Sequence, residues 1–219
     1  MIKQLSFAIA VLAAGNAFAD SFSNGGFEVS NVASGGYAYA GAAGAAPWVF
    51  AGDAGVSTNG TAWGGIALDG FSFAFLQNIS SATQTFSGGA GSYVIDFSLA
   101  QRTSVGTTVG AQKINVLFDG QLLSLAGQTD TFIRPSTFGS GDVYGGWSTY
   151  SFTLNSVAAG SHTLSFQGLG VAGVVDTSVF LDKVSVTTPV PEPETYGMLM
   201  AGLGLLGFIS RRKNKKQPA

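Results

Sequence analysis

The 219-residue chain has no cysteine, which excludes disulfides, a thiol nucleophile and cysteine-ligated zinc. Its one histidine, His162, follows Gly160-Ser161 in an alternating stretch and reads as a turn or core residue rather than a catalytic base. Charged residues make up 10% of the chain, and Glu28 is the one glutamate ahead of the last thirty residues. A glycosidase would therefore need aspartate pairs such as Asp53 with Asp69, or Asp130 with Asp142. The Gly-x-Ser-x-Gly elbow is missing. Residues 168–173 match a dinucleotide fingerprint in spacing, but a strand pattern follows them where a helix is required. Long apolar runs are missing too. The longest near the C-terminus covers residues 197–209, short of the ~20 residues that span a full hydrocarbon core. No catalytic constellation is legible, and the chain reads as a non-enzyme.

Both ends of the chain carry address-like patterns. Residues 1–19 have a basic start at Lys3, an apolar stretch over residues 5–14, and Ala17-Phe18-Ala19 ahead of Asp20. This is the layout of a signal peptide, so the mature chain is expected to begin at Asp20 after passage through the Sec translocon and cleavage by signal peptidase. At the other end, Val190-Pro191-Glu192-Pro193 is followed by the apolar residues 197–209 and five cations within residues 211–216. Pro191 and Pro193 fix φ and disfavour helix ahead of them, so the motif is expected to be an extended, exposed strip. The cations are of the kind that hold such a segment with its C-terminus in the cytoplasm.

This tail resembles the PEP-CTERM sorting domain found in Gram-negative bacteria that make exopolysaccharide. The resemblance rests on Val190, Pro191, Glu192 and Pro193, the apolar segment and Arg211-Arg212-Lys213. It implies recognition, and cutting near the Pro-Glu-Pro motif, by a membrane-embedded exosortase, with this chain as the substrate. An ordinary C-terminal anchor is the plain alternative. The expected organisation is a signal helix over 1–19, an ectodomain over 20–186 and a linker over 187–195. A short transmembrane helix over 196–210 and a basic cytoplasmic tail over 211–219 complete it.

Of ten basic residues, one lies in the leader and five in the tail; of twelve acids, two lie in the tail. Four cations and ten acids remain, a net charge of about −6 on the exported part. That balance argues against nucleic acid, whose affinity comes from cations on phosphate.

Between the addresses the pattern has period two. Tyr93, Ile95, Phe97 and Leu99 alternate with Val94, Asp96, Ser98 and Ala100. Ile114, Val116 and Phe118 precede Asp119-Gly120, a strong hairpin signal. Residues 150–154, 162–166 and 179–186 read as further strands, while the Gly/Ala-rich residues 33–46 read as a loop. Short strands with glycine-rich turns predict an all-β, antiparallel β-sandwich or jelly roll.

Asn24-Gly-Gly-Phe-Glu28 and Phe180-Leu-Asp-Lys-Val-Ser-Val186 bracket this part of the chain. They resemble the opening and closing strands of galactose-binding-like jelly rolls, a group that includes many carbohydrate-binding modules. The resemblance implies that Glu28 and Asp182 help to hold a structural calcium. By strand parity Asp182 shares a face with Phe180, Val184 and Val186, where a bare carboxylate is costly. The alternative is that Asp182 accepts backbone N–H groups and Glu28 is solvated. Trp48, Trp63 and Trp147 are candidate sugar-stacking residues, with core plugs as the alternative. The expected function is a non-catalytic, exported surface or matrix protein associated with exopolysaccharide. A glycan-active hydrolase and a self-assembling surface protein are the alternatives.

Overall fold

A computed structural model describes residues 22–61, 65–102, 113–124, 146–170, 178–187 and 198–206. The leader, Trp63, Asp130, Asp142 and the motif residues Val190 to Pro193 lie outside them. The chain divides into two compact units, Met1–Thr188 and Pro189–Ala219. In the second, residues 198–206 are helical with their apolar side chains exposed. Among the described residues no helix is long and apolar enough to cross a membrane.

Among the described residues of the first unit every element is an antiparallel strand: β1 Tyr37–Tyr39, β2 Val49–Thr58, β3 Ser72–Gly88, β4 Gly91–Gln101, β5 Ile114–Phe118, β6 Gln121–Leu122, β7 Ser148–Val157, β8 Gly160–Leu169 and β9 Ser178–Thr187. The order β6-β5-β8-β3-β9-β4-β7, with β2 and then β1 hung on β3, makes one sheet curled into a jelly-roll sandwich. β4, β5, β7, β8 and β9 fall where the alternating patterns predict strands. β1 lies inside the stretch expected to be a loop, because Tyr37, Ala38 and Tyr39 pair with Ser57, Val56 and Gly55.

The curl is made in β3. Its first part pairs with β9 (Ala74↔Leu181 to Gln77↔Ser178), and its second part pairs with β8 (Ile79↔Leu169 to Gly88↔Gly160). Between them Asn78 has φ 49, a left-handed value that asparagine tolerates better than most residues. Opposite this kink β2 shifts register between Gly52 and Ala54. Gly52 has φ +64, and a Cβ there would lie 2.6 Å from the Ile79 carbonyl, so only glycine suits the corner.

Inside the curl, Phe97 stacks on Tyr150 and Phe152 at centroid distances of 5.5 and 5.9 Å and meets Phe166 edge-on at 5.0 Å. Trp48 belongs to this core. It is 5% exposed, packs on Phe22, Phe27 and Phe166, and donates its indole N–H to the Asn24 carbonyl. A buried indole offers no face to a ligand, so the expectation of a sugar platform at Trp48 is corrected. His162 is buried among Phe86, Phe118 and Tyr93, with Nδ1 2.8 Å from Asp119 Oδ2 and Nε2 3.0 Å from the Ala158 carbonyl. It joins two turns.

Candidate functional site

The site is built where residues 22–28 meet β9. Asn24, at φ 53, accepts the Val29 N–H and donates from Nδ2 to the carbonyls of Val29 and Ala46. That closes the Asn24-to-Glu28 motif into a tight loop and sends Phe27 into the core. Gly25 lies on β9, its carbonyl accepting the Val184 N–H at 3.0 Å. A Cβ at Gly25 would run into the Val184 carbonyl, backbone against backbone. Gly25→Ala is expected to cost about 3 kcal/mol of stability, read as a lower urea midpoint with unchanged m-value.

β9 is interrupted at the same level. Ser98 pairs with Asp182 and Asp96 with Ser185, so two residues of β9 oppose one of β4, and Lys183 takes φ 51. This bulge corrects the parity expected for Asp182. Val184 and Val186 point into the main core, whereas Phe180 belongs to a second apolar cluster with Phe73, Phe75 and Ala100 on the opposite, outer face. Asp182 shares that outer face. Cross-strand pairs continue it: Tyr39, Gly55, Phe75, Phe180 and Ala100 form one row, and Asp182, Ser98 and Thr149 the next.

On this face lies a cleft of about 370 Å³, lined by Asp69, Asp96, Ser98, Thr149, Lys183 and Ser185 over a glycine floor at Gly25 and Gly26. Ser98 Oγ and Thr149 Oγ1 are 3.0 Å apart. Trp147, two residues before Thr149, packs edge-on to Phe73 at 6.4 Å and donates its indole N–H to the Ile66 carbonyl at 2.9 Å. Half-buried, it packs against the outer aromatic cluster of Phe73, Phe75 and Phe180 rather than lining the cleft.

Beneath the cleft Asp182 is 0% exposed. Its Oδ2 accepts the N–H groups of Leu68 and Asp69 at 2.8 and 3.1 Å, and Oδ1 accepts that of Lys183 at 2.7 Å. Glu28 Oε1 accepts the N–H groups of Phe71 and Ser72 at 2.9 and 2.8 Å, its carboxylate lying against Gly70. The two acids thus hold residues 68–72 from below. Burial pushes the Asp182 carboxyl up to about 7; the three N–H donors pull the other way, and the Glu28 charge adds to the rise. No group of three or more Asp, Glu or His side chains suited to a metal occurs among the described residues. Calcium takes six to eight oxygens. Both Asp182 oxygens and Glu28 Oε1 already accept backbone N–H groups.

The sequence singled out Glu28 and Asp182, which the fold brings to the same level under the cleft, but gave no sign of Asp96, Ser98, Thr149, Lys183 and Ser185. Of the aspartate pairs considered for hydrolysis, Asp69 lines the cleft while Asp53 accepts from Asn78 at the β2 corner.

Residues 189–213 match the PEP-CTERM protein-sorting motif, which places an exosortase sorting signal at this end of the chain. Among solved structures, the chain is similar in fold to TmCBM61, a carbohydrate-binding module solved with β-1,4-galactotriose. The TM-score is 0.50 at 16% identity, over 78% of this chain and 99% of that one. It also resembles a family 35 module from Clostridium thermocellum (TM-score 0.41, 12% identity, 65% and 92% covered). A CBM4 structure gives 0.38 at 17% identity, over 76% and 99%. No curated protein matches the chain. The fold is a jelly-roll β-sandwich, similar to that of TmCBM61, and the tail carries a PEP-CTERM sorting motif.

Proposed function

We propose that this is an exported, exosortase-sorted surface or matrix protein that binds extracellular polysaccharide through the outer-face cleft and performs no chemistry on it. The observation that carries the reading is the cleft itself. It combines hydroxyl, carboxylate and ammonium groups, a set that can meet the hydroxyls of a sugar. Its 370 Å³ lies in the range of small-ligand sites. The likeness to carbohydrate-binding modules supports the fold on which this rests.

The test is titration calorimetry of the full chain in mild detergent against β-1,4-galactotriose and a panel of matrix oligosaccharides. Asp96→Ala removes a charged acceptor and is expected to weaken binding roughly ten- to a hundredfold with an unchanged melting temperature. Equal affinity of the variant would move the site elsewhere. Release of reducing ends from any oligosaccharide would replace the binding reading with the hydrolase one.

Calcium is the ion this reading assigns to Glu28 and Asp182, supported by two like charges drawn together under the cleft. Bound there, it would neutralise both carboxylates and tie residues 24–28 to β9.

A further inference from the structure

The charge around the cleft restricts which sugars it can hold, an inference that rests on the glycan-binding reading above. We propose that the cleft selects glycans bearing free amines, that is, amino sugars without their N-acetyl groups, over neutral ones, and that it rejects uronic-acid polymers. Two carboxylates, Asp69 and Asp96, line the cleft against one ammonium, Lys183. No ion pair joins Lys183 to either acid, and the lysine backbone is fixed by its left-handed position in the β9 bulge. A third carboxylate lies directly under the floor: Asp182 Oδ1 is 3.8 Å from where a Cβ on Gly26 would stand, and Glu28 Cγ is equally close to that point.

The remaining polar groups, Ser98, Thr149 and Ser185, carry no charge and can serve sugar hydroxyls of any class. Discrimination therefore falls to the charged groups, among which the two acids outnumber Lys183. A protonated amine entering the cleft gains from Asp69 and Asp96 together, whereas a uronate would be set against both. In a partly enclosed cleft such interactions are screened less than on open surface, and they weaken as salt rises. The net charge of about −6 between Asp20 and Pro189 acts in the same direction at longer range.

The experiment is calorimetry of the full chain in mild detergent, with a chelator present so that no divalent cation neutralises the acids. The probes are a β-1,4-glucosamine tetramer, its fully N-acetylated counterpart and a galacturonate tetramer. The free-amine oligomer is expected to bind about tenfold more tightly than the acetylated one at about 0.02 M salt, the advantage shrinking at about 0.5 M. The galacturonate is expected not to bind. Asp69→Asn and Asp96→Asn should each reduce the amine advantage and flatten its salt dependence. Equal affinity for the amine and acetylated oligomers, or tighter binding of galacturonate, overturns the selectivity while leaving glycan binding standing. Binding of none of these oligosaccharides and none of the neutral panel overturns the glycan reading and the selectivity with it.

Discussion

Asp182→Ala is expected to lower the melting temperature by about 10 °C or more, the largest loss from any single side chain at the site. The alanine would leave the N–H groups of Leu68, Asp69 and Lys183 without their acceptor in a place closed to water. Each such group costs about 1–3 kcal/mol. The wild-type carboxyl also makes stability depend on pH. Its folded value of about 7 lies above the ~3.9 of an unfolded aspartate, so the folded state holds the proton more tightly. That contribution is complete below about pH 4 and is lost as pH rises through about 7, amounting to something on the order of 4 kcal/mol. Thermal melts of the full chain at acid and mildly alkaline pH should show this fall, and Asp182→Asn should flatten it. Millimolar calcium should restore the alkaline stability of the wild type by holding the carboxylate ionised, with no effect on the asparagine variant. Identical alkaline melts with calcium and with chelator would remove the ion from this site.

Replacing Pro191, Glu192 and Pro193 together with alanine is expected to abolish processing at the C-terminus. Proline disfavours helix, and alanines at these positions would allow the helix at residues 198–206 to grow back toward the motif. A strip absorbed into helix presents its backbone groups to itself rather than to a membrane protease. In a host that supplies exosortase, fractionation and blotting should show the uncut form retained with the inner membrane and the surface form reduced to background. An unchanged distribution would mean that the motif is not what the sorting enzyme reads.

The strands that alternate cleanly were legible because one face of each meets the core and the other meets polar surroundings. β4 shows this best: Tyr93, Ile95, Phe97 and Leu99 are fully buried. β3 escaped for the opposite reason. Its first six residues are buried on both faces, between the main core and the outer aromatic cluster, so no alternation survives there. Glu28 and Asp182 stood out because the motifs around them, residues 24–28 and 180–186, resemble the opening and closing strands of galactose-binding-like jelly rolls. Asp96, Ser98 and Thr149 read as ordinary solvent-phase positions. Only cross-strand pairing, and a bulge at a lysine that no pattern announces, gathers them into one cleft.

The position of β9 has a consequence for the order of events in the cell. It is the last strand to be made, yet it sits between β3 and β4 and receives the Gly25 carbonyl that clips the opening segment to it. A chain threaded outward from its first residue cannot close this barrel-like curl until Thr187 has emerged, because long-range pairing must wait for its partner. On the export reading proposed above, the Pro-Glu-Pro strip follows only a few residues behind. Completion of the passenger and presentation of its sorting signal therefore fall at nearly the same moment.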